Sequence, residues 1–162
     1  MTIMRENVAV RKGAVRDVEA LLRLRGVMFS ALDGESAAQH WEGACRQILL
    51  DGLNSGDLLA AVGETEDGTI VASGIAAVHR WLPSPANPSG LKGYIGSMAT
   101  DQEWRRHGIG RQIANHLIQA LHERGISEIE LHATEDGEGI YRSLGFAARD
   151  DLTPLAISAN AE

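Results

Sequence analysis

A mixed α/β domain, α+β in the make-up of its sheet, is predicted by three features of the chain. Strand-like runs alternate with helix-periodic stretches, without an internal repeat or a recognisable linker. Two strands, Leu58 to Val62 and Ile70 to Val78, are joined across Glu66-Asp67-Gly68, a hairpin signal that makes those neighbours antiparallel. A further strand, Tyr94 to Thr100, leads through a loop into a strongly periodic helix, Ile109 to Arg124. The hairpin in the middle excludes a fully parallel sheet.

The expected order is β-α-α-β-β-β-α-β-α-β. Val8 to Arg11 is a short first strand. Val18, Leu21, Leu22, Met28 and Phe29 keep helical spacing, with Asp17 placed to cap the helix and Asp33-Gly34 to break it. A second amphipathic helix carries Trp41, Ala44, Cys45, Ile48 and Leu49 and ends at Asn54-Ser55-Gly56. After the hairpin, residues 80–92 hold three of the four prolines and read as an irregular loop. Gly96 interrupts the next strand, as at a bulge or a close ligand approach. The helix from Ile109 directs Ile113, Leu117, Ala120 and Leu121 inward and stops at Arg124-Gly125. Ile129 to Ala133 alternates Ile129, Leu131 and Ala133 with Glu130, His132 and Thr134, as a strand does. A short helix over Gly139 to Leu144 follows, and a last strand is expected near Leu155 to Ile157.

With 162 residues, 44% hydrophobic and 23% charged, the chain reads as one soluble globular domain, expected over residues 3–158. A net charge of −7 argues against nucleic acid or an anionic membrane as partner. Cys45 is the only cysteine, so no intrachain disulfide forms; a reducing, cytoplasmic setting is expected, with Cys45 as core packing. The first seven residues lack a signal-peptide core. No apolar run approaches the ~18 residues of a membrane span. No metal site is read.

Against this acidic background Arg105-Arg106-His107-Gly108-Ile109-Gly110-Arg111 is a local basic loop at a helix start. Unpaired N–H groups of a first helical turn attract anions, glycines admit close approach, and arginines add charge. Positive charge at a helix start opposes the dipole by several tenths of a kcal/mol, a conflict that a bound anion removes. The loop therefore binds phosphate. A dinucleotide fingerprint is one reading, from Gly108-Ile109-Gly110 with Glu130 about 20 residues on. It fails in detail: Ile113 stands where the third glycine should, and Asp101 to His107 separate the strand from the first.

The same residues resemble the pyrophosphate signature Arg/Gln-x-x-Gly-x-Gly/Ala of the GNAT superfamily of acyl-CoA-dependent N-acyltransferases. Ser97-Met98-Ala99-Thr100 is similar to that family's acyl-CoA-binding strand. Ile140-Tyr141-Arg142-Ser143-Leu144-Gly145-Phe146 resembles its Leu-Tyr-x-x-Leu-Gly-Phe helix. The three motifs stand in the family's order and spacing, and the strand–helix sequence agrees over nearly the whole chain. The resemblance implies a central mixed, largely antiparallel sheet flanked by helices, and acetyl-CoA as acyl donor. It implies that the amides of Met98 and Thr100, with Ala99 between them, hold the pantetheine arm as an added strand. The amides from Arg106 through His107, Gly108 and Ile109 to Gly110 would cradle the pyrophosphate, and Arg105, Arg106 and Arg111 would neutralise it.

Such a family attacks the thioester directly with a neutral amine, through a tetrahedral intermediate. The Met98 N–H is the candidate oxyanion donor. Tyr141 matches the family's general acid, the bland alternative being a core tyrosine among Ile140, Leu144 and Phe146. No acid lies in Tyr94 to Thr100, where relatives often carry a glutamate base. Glu130, His132 and His79, or a water relay, leave the base unassigned. Thr134 stands where many relatives carry asparagine, and Gly137 and Gly139 weaken the following helix start. The acceptor pocket is expected from the first two helices and the loop 80–92, with Trp41, Trp81, Met28 and Phe29 as lining. Asp33 and Glu35 are either part of that pocket or solvated. The acceptor is a small-molecule amine or an exposed protein amine, the net charge mildly favouring cationic amines. A homodimer is compatible with the resemblance. A non-catalytic acyl-CoA-binding module of the same fold is the alternative to an enzyme.

Overall fold

The computed structural model describes residues 7–33 and 40–158. Five strands form one sheet in the order β1-β2-β3-β4-β5. They are β1 (Val8–Lys12), β2 (Leu58–Thr65), β3 (Ile70–Arg80), β4 (Leu91–Thr100) and β5 (Ile129–Leu131). The first four pair antiparallel, and β5 joins β4 in parallel. Helices α1 (Val18–Asp33) and α2 (Glu42–Ser55) pack on one face, α3 (Ile109–Glu123) on the other, and α4 (Glu138–Ser143) follows β5. None of the described helices is long and apolar enough to cross a membrane.

The α3 face is built on size complementarity. Ile109, Ile113, Leu117 and Leu121, four residues apart, are all buried. Each of these large side chains is worth about 1.5–3 kcal/mol when withdrawn from water. Opposite them the sheet presents small residues. A Cβ at Gly63 would come within 3.2 Å of Ile109, one at Gly74 within 2.7 Å of Ile113, and one at Gly93 within 2.7 Å of Leu121. The other face packs Val18, Leu21, Leu22 and Leu49 against Ala60 and Val62.

The turns follow the glycines expected of them. Gly56, Gly68 and Gly125 carry φ of +83°, +88° and +75°, ending α2, turning the β2–β3 hairpin and ending α3.

Several expectations are corrected. Leu155 and Ile157 form no strand; they are 90% and 98% exposed. β5 ends at Leu131, leaving His132 and Ala133 outside it. Asp17 does not cap α1. It closes a 3-10 turn (Val15–Asp17), where its carboxylate accepts from the Ala14 N–H at 2.8 Å and from both terminal nitrogens of Arg11 at 2.9 Å.

Candidate functional site

The site begins where the sheet splits. β4 and β5 pair only through Gly93–Ile95 and Ile129–Leu131. Beyond that point β4 keeps β3 on one side and opens on the other. Ser73 pairs with Ala99 but Ile75 with Gly96, so Ser97 and Met98 together oppose Gly74 in a bulge. The expected irregularity is there, one residue past the glycine, with Ser97 itself at φ +51°. Met98 turns its side chain toward Ile113 and Leu117, into space that Gly74 leaves vacant.

Two cavities flank this bulge. The first, about 510 Å³, runs along the open edge of β4, with Met98, Ala99, Thr100, Arg105, Gly110 and Tyr141 in its wall. The second, about 620 Å³, lies between α1, α2 and β2–β4. Phe29, Trp41, Cys45, Ile48, Leu49 and Ile75 line it, with Arg25 as its only charged residue among those described. The cavities meet over Tyr94, Gly96 and Ser97. Helix α1 divides them, with Val27, Met28 and Ala31 turned to the first and Arg25 and Phe29 to the second.

The basic loop closes the first cavity at the start of α3. Arg106 and Gly108 hold left-handed φ of +63° and +77°, and a Cβ at Gly108 would meet nothing within 4 Å. None of the amides from Arg106 to Arg111 donates to another described residue. This row of free donors at a helix N-terminus suits a pyrophosphate. The side chains are less uniform. Ile109 is buried in the core, which leaves only its amide for a ligand. The Arg105 Nε donates to the Thr100 carbonyl at 3.0 Å, and the Arg111 Nε to the Ser143 hydroxyl at 3.2 Å, tying α3 to α4. His107 turns its Nδ1–H back to the Trp104 carbonyl at 3.0 Å. Upstream, Asp101 is anchored to α1 by both terminal nitrogens of Arg23 at 2.9 Å.

Tyr141 is half-buried in the first cavity, edge-on to Phe146 at 6.1 Å and 78°. Burial pushes its phenol above the ordinary value of 10.0, keeping it protonated across the physiological range. Thr134 is accounted for by its turn: its hydroxyl and carbonyl both accept from the Gly137 N–H, at 3.3 and 3.0 Å, and so shape the entry to α4.

The candidate bases separate clearly. Glu130 is drawn to Arg149 at 3.4 Å and Lys92 at 4.0 Å, outside both cavities. His79 is exposed and lines neither. His132 faces the first cavity, its Nδ1 2.8 Å from the Tyr94 hydroxyl. The sequence reading missed Tyr94 as a site residue, although it sits two positions before the strand glycine. It also missed Arg25, for which no local signal exists.

The acceptor side differs from expectation. Trp41 and Phe29 line the second cavity, but Met28 lines the first and Trp81 is 68% exposed, in neither. The loop after β3 contributes nothing to it; β2, β3 and β4 provide the floor through Leu58, Ile75, Ala77 and Tyr94. Cys45 packs beside the α1–α2 core and also faces this cavity. Glu35 and the side chain of Asp33 lie outside the described residues.

An open mixed sheet split beside a helix start with unpaired amides is the architecture of an acyl-CoA-dependent transferase. Residues 20–146 match the acetyltransferase (GNAT) family model, and the chain belongs to that family. It is similar to a predicted acetyltransferase with acetyl-CoA from Clostridium acetobutylicum, at 25% identity and a TM-score of 0.83, over 93% of this chain and 96% of that one. A GCN5-related N-acetyltransferase from Ralstonia eutropha aligns at 29% identity and a TM-score of 0.79, over 93% and 99% of the two chains. Glucosamine-6-phosphate N-acetyltransferase from Arabidopsis thaliana shares the fold, at 17% identity and a TM-score of 0.72, over 94% and 100%.

Proposed function

We propose that this protein is an N-acetyltransferase that moves the acetyl group of acetyl-CoA to the amine of a small molecule held in the second cavity. The observation that carries the proposal is the continuity of the open β4 edge, Gly110 and the half-buried Tyr141 around one cleft, beside the unpaired amides from Arg106 to Arg111. Acetyl-CoA supplies a thioester whose acyl carbon accepts the amine and whose sulfur leaves as a thiol.

The chain's own groups have distinct tasks. The Thr100 N–H and the Met98 carbonyl hold the pantetheine arm along the open edge, which leaves the Met98 N–H for the thioester. Those from Arg106 to Gly110 hold the pyrophosphate, with Arg106 adding charge. The Met98 N–H, turned out of the ladder by the bulge, faces the thioester oxygen and stabilises the negative charge that develops there. Tyr141 gives its phenolic proton to the departing sulfur. Tyr94 takes the proton that the amine loses, while its own passes to Nδ1 of His132. One proton leaves the nucleophile and one reaches the leaving group, and exchange with solvent resets both residues.

Release of free thiol from acetyl-CoA, measured over a panel of amines, tests the proposal. Wild-type protein should turn over with at least one amine. Tyr141→Phe should lose about 10²-fold or more in kcat, the usual weight of a general acid, while its acetyl-CoA affinity stays within about threefold. Tight coenzyme A binding without turnover on any amine would leave a binding module instead of an enzyme.

A further inference from the structure

We infer that the second cavity selects an amine with an apolar or aromatic body and one carboxylate, the carboxylate being recognised by Arg25. The inference deepens the N-acetyltransferase reading and rests on it for the position of the amine.

The wall of the cavity sets the body of the ligand. Phe29, Trp41, Ile48, Leu49 and Ile75 form an almost continuous apolar surface. Its volume, about 620 Å³, falls within the range of small-molecule sites, about 300–1,000 Å³. A polyamine or amino sugar brings several hydroxyl or ammonium groups, most of which would lose water against carbon, since only Tyr94 and Ser97 on the floor add uncharged hydroxyl groups. Net charge, which mildly favoured cationic acceptors, is a property of the whole surface; the lining decides what enters.

Arg25 sets the second requirement. Its guanidinium carbon stands 4.8 Å from the centre of the Phe29 ring, and Phe29 meets Trp41 edge-on at 5.3 Å and 77°. The stack fixes a planar cationic fork on a wall that is largely apolar among the described residues. A carboxylate matches that fork with two parallel hydrogen bonds, whereas an ammonium is repelled by it.

The floor sets the third. Tyr94, Gly96 and Ser97 are shared with the acyl-donor cleft, so the amine of a ligand in this cavity has its way to the thioester there. An apolar wall, one guanidinium and one opening toward the acyl donor together describe an amino acid of the leucine, phenylalanine or tryptophan kind.

The experiment compares twins that differ only in the carboxylate: L-leucine with isoamylamine, L-phenylalanine with phenethylamine, and L-tryptophan with tryptamine, with spermidine as the polycation. Binding to the coenzyme A-loaded protein is measured by calorimetry, and acetyl transfer by thiol release. At least one amino acid should bind about tenfold or more tighter than its decarboxylated twin, the weight of one hydrogen-bonded charge. That advantage should vanish in Arg25→Gln and return in part in Arg25→Lys, with coenzyme A affinity showing that each variant is folded. Equal or tighter binding of the decarboxylated twins or spermidine, no binding of any amino acid, or an advantage that survives Arg25→Gln overturns the inference. The two readings fail separately. Carboxylate-dependent binding without acetyl transfer refutes the transferase and keeps the site, whereas transfer to spermidine alone refutes the site and keeps the transferase.

Discussion

The Tyr94 hydroxyl stands 2.8 Å from Nδ1 of His132; Tyr94 pairs with Glu130 across β4 and β5, and His132 is the first residue past Leu131, where that pairing ends. Their rings meet edge-on at 5.6 Å and 60°. For Nδ1 to accept, the imidazole must be neutral with its proton on Nε2. Tyr94→Phe should therefore lower kcat/KM for the amine by about 10²-fold, as loss of a proton acceptor does, and leave acetyl-CoA binding intact. His132→Ala should cost a similar factor. The double variant should be no slower than the worse single one, because the two side chains act as one unit. Multiplicative losses would rule the relay out.

Gly108 and Gly125 make a matched pair for the anion site. Both are left-handed, at φ +77° and +75°, and a Cβ at either would meet nothing within 4 Å. Alanine at either position should cost about 1 kcal/mol of stability, the penalty of a side chain in that backbone region. Only Gly108→Ala should also weaken coenzyme A, by about tenfold, because its methyl group enters the space over the free amides. Calorimetric titration and thermal melts of both variants check this; equal coenzyme A affinity in the two would refute the cradle.

Gly74 should prove essential to the donor cleft from beneath it. A Cβ there would overlap the Met98 sulfur and come within 2.7 Å of Ile113 and 3.0 Å of Leu117. Gly74→Ala should cost about 1–3 kcal/mol, as overpacking does, and raise the KM for acetyl-CoA by displacing Met98. Gly26→Ala, within α1 with nothing near its Cβ, should instead stabilise by roughly 0.5–1 kcal/mol. Melting temperature and steady-state kinetics on both variants separate the outcomes.

Acid sensitivity should centre on Asp17. The Arg11 guanidinium, with the Ala14 N–H, holds its buried carboxyl below the ordinary value of 3.8. A carboxyl depressed in the folded state contributes its full stability above 3.8 and loses it as pH falls through the lower, native value. Asp17→Asn should cost about 1–3 kcal/mol near neutrality, the weight of a hydrogen bond to a charged group. The gap from wild type should close well below pH 3.8. Urea unfolding at the two pH values measures it, and a gap independent of pH would contradict the assignment.

What could be read without coordinates was information carried within a few residues. The inward face of α3, the glycine stops at Gly56, Gly68 and Gly125, and the free first turn after Gly108 all follow from spacing and backbone preference, which act locally. The missing strand at Leu155 to Ile157 shows where that reach ends. Apolar alternation states what a segment would bury, and only its packing against the rest of the chain decides whether it does. Asp17 shows the same limit, since Arg11 of the neighbouring strand drew its carboxylate away from the helix it precedes.

The sequence by itself determined the fold class and the basic, glycine-bearing helix start at Arg105 to Arg111, because two glycines and three arginines act on their own neighbourhood. Only the tertiary structure decided which groups share the reaction space. Tyr94 and His132 are 38 positions apart and meet because β5 pairs with β4 in parallel, setting Glu130 opposite Tyr94 and His132 just beyond. Arg25 and Ser97 line one cavity because α1 crosses the bulge. Such meetings depend on the packing of distant elements, and no local periodicity encodes them.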